Sequence, residues 1–104
     1  MSNKIDFTKG TVAIRAKVEH SADPNVTMFN FFEYKTNEGE ISLKLKNRTS
    51  LVFTHSYRGR INNLSYDFSE YFDKDIVVVV TWSIEDEELI LYINGDLKKK
   101  AKIS

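Results

Sequence analysis

Ile76-Val77-Val78-Val79-Val80-Thr81-Trp82-Ser83-Ile84, then Glu85-Asp86-Glu87-Glu88, then Leu89-Ile90-Leu91-Tyr92-Ile93-Asn94-Gly95-Asp96-Leu97, decides the fold. Two β-branched runs flank a cluster too charged to bury, so the cluster reads as a hairpin turn. Pairing Ile84 with Leu89 across it matches Trp82 with Leu91 and Val80 with Ile93, all on one core face. After Asn94-Gly95-Asp96, a three-residue loop with Gly95 left-handed would keep Leu97 on the same side as Ile93; a two-residue loop would turn it outward. The three-residue loop is the expectation. In this register Val77, Val79, Ile90 and Tyr92 point away from the core, with Thr81 beside them. An outward sheet face is normally polar, so this apolar set implies a cover and marks Val77, Val79, Ile90 and Tyr92 as candidate interface residues.

The same period of two runs through the rest of the chain. Thr11 to Val18 alternates with Val12, Ile14, Ala16 and Val18 on one face. A turn-rich break from Glu19 to Asn25 holds the only proline, Pro24. Thr27 to Tyr34 is an aromatic strand, and Asn37-Glu38-Gly39 a hairpin turn. Glu40 to Lys46 places Ile41, Leu43 and Leu45 inward. Asn47 to Ser50 turns again, Ser50 to His55 is a short strand, and Ser56 to Arg60 is a loop around Gly59. Ile61 to Phe68 is a weaker strand, and Ser69 to Asp75 has room for one helical turn. Asp75 to Ile84, Glu88 to Ile93 and Leu97 to Ile103 complete about eight short strands without a long helix. The expected fold is all-β: an antiparallel two-sheet sandwich with Val12, Ile14, Leu43, Val78, Val80, Trp82, Leu91 and Ile93 buried between the sheets. No repeat, linker or low-complexity tract divides the 104 residues, so residues 1–104 read as a single domain.

Composition narrows the function. Lys+Arg and Asp+Glu are both 15, for a formal net charge of zero. A general nucleic-acid binder needs a cationic surplus, so none is expected as partner; low net charge also leaves self-association unopposed. There is no cysteine, which removes disulfides, thiolate metal sites and thiol catalysis. No signal peptide or membrane-spanning run is read from this chain, leaving a cytoplasmic protein or an excised domain of an extracellular one; no membrane partner is expected. Three Asn-x-Ser/Thr patterns, at Asn25, Asn47 and Asn63, read as polar loop sequence.

Several clusters carry potential chemistry. Glu85 to Glu88 is contiguous and lies in a turn, whereas a glycosidase needs two carboxylates spaced to flank a glycosidic bond; it reads as a solvated turn. His20 and His55 have no Asp, Ser or ligand spacing around them. Asp73-Lys74-Asp75 lacks a third acid for calcium. Lys98-Lys99-Lys100 reads as edge protection on the last strand. No catalytic residue, metal or cofactor is therefore expected, and the chain is read as a non-enzyme. The aromatics mostly fall at alternating strand positions and read as core. Tyr57, Arg58 and Arg60, on the Gly59 loop, are the candidate ligand-binding set: a ring to stack on a sugar and guanidinium groups to donate to its oxygens.

Val77 to Ser83 followed by Leu89-Ile90-Leu91-Tyr92-Ile93-Asn94-Gly95-Asp96-Leu97 resembles the laminin-G-like, concanavalin-A-like lectin jelly roll, in which a Thr-Trp strand end precedes Leu-x-Leu-Tyr-Val-Asn/Asp-Gly. Phe7-Thr8-Lys9-Gly10-Thr11 to Val18 resembles its opening strand. The likeness spans most of the chain in order and implies a compact jelly roll. Asp75-Ile76 stands where the family usually has Trp or His. Relatives also continue with closing strands after this hairpin, which implies a compact variant, a trimmed piece, or a protomer whose partner supplies the cover. Two functions are carried forward. The first is a non-catalytic module recognising carbohydrate; the alternative is an assembly domain acting through a protein ligand or as a homodimer.

Overall fold

The computed structural model describes residues 6–19, 29–47 and 49–103. His20, Pro24 and the Asn25 pattern lie outside them. Eight strands form: β1 (Lys9–Lys17), β2 (Phe29–Thr36), β3 (Gly39–Lys46), β4 (Ser50–Tyr57), β5 (Arg60–Asp67), β6 (Asp75–Ser83), β7 (Glu88–Ile93) and β8 (Asp96–Lys102). A single 3-10 turn, Ser69–Tyr71, lies between β5 and β6. The strands make two antiparallel sheets of four, β1-β6-β7-β8 (the first sheet) and β2-β3-β4-β5 (the second). The protein is thus an all-β, two-sheet sandwich. The chain crosses between the sheets twice, after β1 and after β5.

Alternation explains the core. Ile41, Leu43, Leu51, Phe53 and Leu64 from the second sheet meet Ile76, Val78, Val80, Trp82, Leu89, Leu91 and Ile93 from the first, all buried. Val12 and Ile14 pack against this core but are only partly buried. Their strand is at the edge of its sheet, with β6 on one side alone.

Three local expectations are corrected. The β6–β7 register is Trp82 with Leu89, Val80 with Leu91 and Val78 with Ile93, two residues from the expected one. The turn occupies Ile84 to Glu87, and Glu88 begins β7. The Ser83 hydroxyl accepts the Asp86 N–H at 3.1 Å, and the Glu87 N–H donates to the Ile84 carbonyl at 3.1 Å. A shift of two keeps every side chain on its expected face.

The β7–β8 loop has two residues. Asn94 and Gly95 have φ of 53° and 85°, and Ile93 pairs with Asp96. Two successive left-handed residues match the strand twist, and that turn preference prevails over burying Leu97. Leu97 therefore pairs with Tyr92 on the outer face, 49% exposed. A bulge at Lys98 then restores the alternation, bringing Ala101 opposite Leu89.

The Ser56–Arg60 segment is likewise tighter than a loop. Strand β4 runs to Tyr57, which pairs with Arg60 across Arg58 (φ 51°) and Gly59 (φ 82°).

Candidate functional site

One end of the sandwich opens into a cleft of about 460 Å3 lined by Asp6, Phe7, Tyr34, Thr36, Asn37, Glu38 and Tyr57. Three segments converge there: the approach to β1, the β2–β3 turn and the end of β4. The β2–β3 turn is held by the Glu38 N–H donating to Thr36 Oγ1 at 3.1 Å. Gly39 follows because β4 passes too close for a side chain: a Cβ there would lie 1.9 Å from the Ser56 carbonyl oxygen. The Arg58 N–H donates to the Glu38 carbonyl at 3.1 Å, joining the two hairpin turns.

The third wall is strapped to the core at two consecutive carbonyls. Trp82 Nε1–H donates to the Asp6 carbonyl and His55 Nε2 to the Phe7 carbonyl, each at 2.7 Å. A carbonyl only accepts, so Nε2 carries a hydrogen in this contact. His55 is buried, and its Nδ1 has no hydrogen-bond partner among the described residues. Gly10, just beyond, lets the chain lie against Trp82: a Cβ would sit 2.4 Å from the indole. The Ile84 N–H donates to the Thr8 carbonyl at 2.8 Å, continuing the attachment.

Phe7 is buried between two tyrosines. Its ring stacks on Tyr57 at 5.5 Å and 12° and meets Tyr34 at 5.7 Å and 43°. The Arg58 guanidinium lies over the Tyr57 ring, 5.1 Å from its centroid. The polar rim is anionic. The Asp6 carboxylate accepts both the Thr8 hydroxyl, at 2.6 Å, and the Thr8 N–H, at 2.8 Å. The hydroxyl bond first, then the backbone bond, hold its carboxyl below the usual aspartate range.

Of the candidate ligand set, Tyr57 lines the cleft and Arg58 covers that ring, while Arg60 is exposed beyond the turn and not part of the lining. Sequence reasoning missed Asp6, Phe7, Tyr34, Asn37 and Glu38. The available signal was parity: Tyr34 and Tyr57 occupy inward positions at the strand ends, where the core gives way to solvent.

The second candidate surface is the outer face of the first sheet. Register places Ala13, Val79, Tyr92 and Leu97 side by side, with Thr11, Thr81, Ile90 and Lys100 in the next row. Val77 lies beyond them and is 39% exposed. The four candidate interface residues thus share one face, joined by Leu97. The outer face of the second sheet is mixed: Glu33, Ser42, Thr54 and Asn63 form one of its rows, while Val52 and Ile61, the latter 67% exposed, lie in the rows on either side. Thr54 Oγ1–H donates to Asn63 Oδ1 at 2.8 Å, and Lys44 pairs with Glu33 at 2.5 Å.

The remaining clusters are spread over the surface. Glu85, Asp86 and Glu87 are exposed in their turn, and Asp73, Lys74 and Asp75 at the start of β6. No group of three or more metal-ligating side chains occurs among the described residues, and none of their helices is long and apolar enough to cross a membrane. Comparison with protein families, curated proteins and solved structures gives no match.

Proposed function

We propose that this chain is a non-catalytic, lectin-like jelly-roll module that takes carbohydrate in its end cleft. The observation that carries this reading is the joining of Tyr34 and Tyr57 with Asn37, Glu38 and Asp6 in one cavity. A sugar ring has an apolar C–H face and an edge of hydroxyls. Aromatic rings cover the first, and carboxylate and amide oxygens accept from the second. The volume lies within the range of small-molecule sites, roughly 300–1,000 Å3. Arg58 holds Tyr57 by an exposed cation–π contact of about 0.5–1 kcal/mol, weak enough for a ligand to displace. The non-catalytic part rests on the acids. Glycoside cleavage needs two carboxylates set to flank the bond, whereas the acidic run Glu85, Asp86 and Glu87 is contiguous in an exposed turn.

The test is a glycan array followed by NMR titration of the best oligosaccharide. Shifts are expected at Tyr34, Asn37 and Tyr57, and Tyr57→Ala should weaken binding about tenfold, as loss of one aromatic contact implies. No glycan binding, or shifts confined to other surfaces, would refute the reading. A second reading, an assembly domain acting through self-association, is favoured by the apolar outer face of the first sheet.

A further inference from the structure

We infer that the end cleft selects cationic sugars: it takes a hexosamine whose free amine is protonated, and Arg58 competes with that amine for the Tyr57 ring. The inference rests on the carbohydrate reading of the same cleft and names the class of sugar.

The lining is negative. Among the described residues its charged side chains are Asp6 and Glu38, and neither forms an ion pair. The Asp6 carboxylate is engaged by the Thr8 hydroxyl and N–H, which are uncharged donors. Those bonds hold its carboxyl below the usual aspartate range, so it keeps its charge into mild acid. A neutral sugar entering the cleft leaves both carboxylates without a counter-charge. A uronic acid adds a third negative group. A protonated amine is the sugar substituent that complements them.

The rings point the same way. Tyr34 and Tyr57 are half-buried on either side of Phe7, at the mouth of the core. The face of such a ring is the negative part of its quadrupole and attracts cations. The chain itself demonstrates this at Tyr57, whose ring carries the Arg58 guanidinium 5.1 Å from its centroid. A neutral sugar that stacks there displaces a cation and puts none in its place. An ammonium replaces the lost attraction with its own.

Arg58 is free to give way. It is exposed and forms no ion pair among the described residues. What fixes its position is backbone: its N–H donates to the Glu38 carbonyl at 3.1 Å, and its φ is 51° in the β4–β5 turn. The side chain can therefore swing into water while the turn stays in place.

An exposed cation–π contact and a rim carboxylate pair each change affinity by a few-fold, so together they give about a tenfold preference. Calorimetric titration at pH about 6, where an amine is protonated, tests this with three β-1,4-linked trisaccharides: glucosamine, its N-acetylated form and glucose. The glucosamine form should bind about tenfold tighter than either neutral one, and added salt should shrink the difference. Glu38→Gln should cut that ratio about threefold. Arg58→Asn removes the competing cation with a residue that tolerates a left-handed backbone, and should tighten glucosamine binding about threefold. A guanidinium that instead helped to hold the sugar would make this variant bind more weakly. Equal binding of the three trisaccharides, a preference untouched by Glu38→Gln, or weaker binding by Arg58→Asn overturns the inference and leaves the carbohydrate reading standing. Binding of none of them, with no other glycan bound, overturns both.

Discussion

Replacing Gly39 with alanine puts a methyl group where strand β4 already runs. The added Cβ would lie 1.9 Å from the Ser56 carbonyl oxygen, 2.8 Å from the Ser56 carbonyl carbon and 3.1 Å from the Tyr57 Cα. All three atoms are backbone, so no rotamer change relieves the overlap. Ordinary contact begins at 3.4 Å, so β3 and β4 must separate locally by about 1.5 Å. That movement breaks into the Gly39–Tyr57 pairing and the Arg58 N–H bond to Glu38. Overpacking costs about 1–3 kcal/mol and each weakened hydrogen bond about 1 kcal/mol. Alanine returns about 0.4–1 kcal/mol by restricting the unfolded chain. The net expectation is a loss of about 2–4 kcal/mol, a large part of the roughly 5–15 kcal/mol that holds a domain together. Urea unfolding followed by fluorescence of Trp82, the single tryptophan, measures it directly. The midpoint should fall with the slope unchanged, and the melting temperature should drop by roughly 10–25 °C. The cleft should change with it, since Glu38 and Tyr57 flank the site of the strain. A Gly39→Ala protein within about 0.5 kcal/mol of the parent would show that the strands do not approach as described.

Two further outcomes follow from single contacts. Asn94→Ala should cost about 1 kcal/mol, because Asn94 tolerates its left-handed backbone and its Oδ1 accepts the Val77 N–H at 3.0 Å; chemical denaturation measures the loss, and an unchanged midpoint would dismiss the role. The Lys44 hydrogen bond and then its charge lower the Glu33 pKa from 4.5, so the pair's contribution is present above that value and fades as acid takes pH through the lowered one. Lys44→Met should therefore flatten the stability change between neutral pH and pH about 3, and a profile identical to the parent's would count against the pairing.

The facing of the strands was legible because a period of two leaves little ambiguity when one side is buried. Even the misplaced β6–β7 register, off by two, left Trp82, Val80, Leu89, Leu91 and Ile93 inside. Leu97 was misread for the opposite reason. A loop of two residues rather than three reverses parity, and burial was weighed above the preference of Asn-Gly for the tight turn. Tyr57 and Arg58 were legible as residues of a glycine turn. The rest of the cleft was not, since Asp6 and Phe7 reach Tyr34 and Glu38 only through the stacking of the two sheets. His55 could be read as lacking catalytic companions, but its bond to Phe7 joins residues 48 apart in sequence and leaves no local pattern.

The lysines of β8 and the bulge at Lys98 also bear on how far association can spread. Runaway growth through a sheet needs two edges, each regular enough to accept the next chain. Here one edge, β8, bulges at Lys98 and carries Lys98, Lys99, Lys100 and Lys102 along its length. Adding a strand there would crowd its long lysine side chains and misalign the hydrogen bonds. The first sheet is thereby a chain-terminator for edge-to-edge polymerisation: whatever meets β1, the far side offers no template for the next addition.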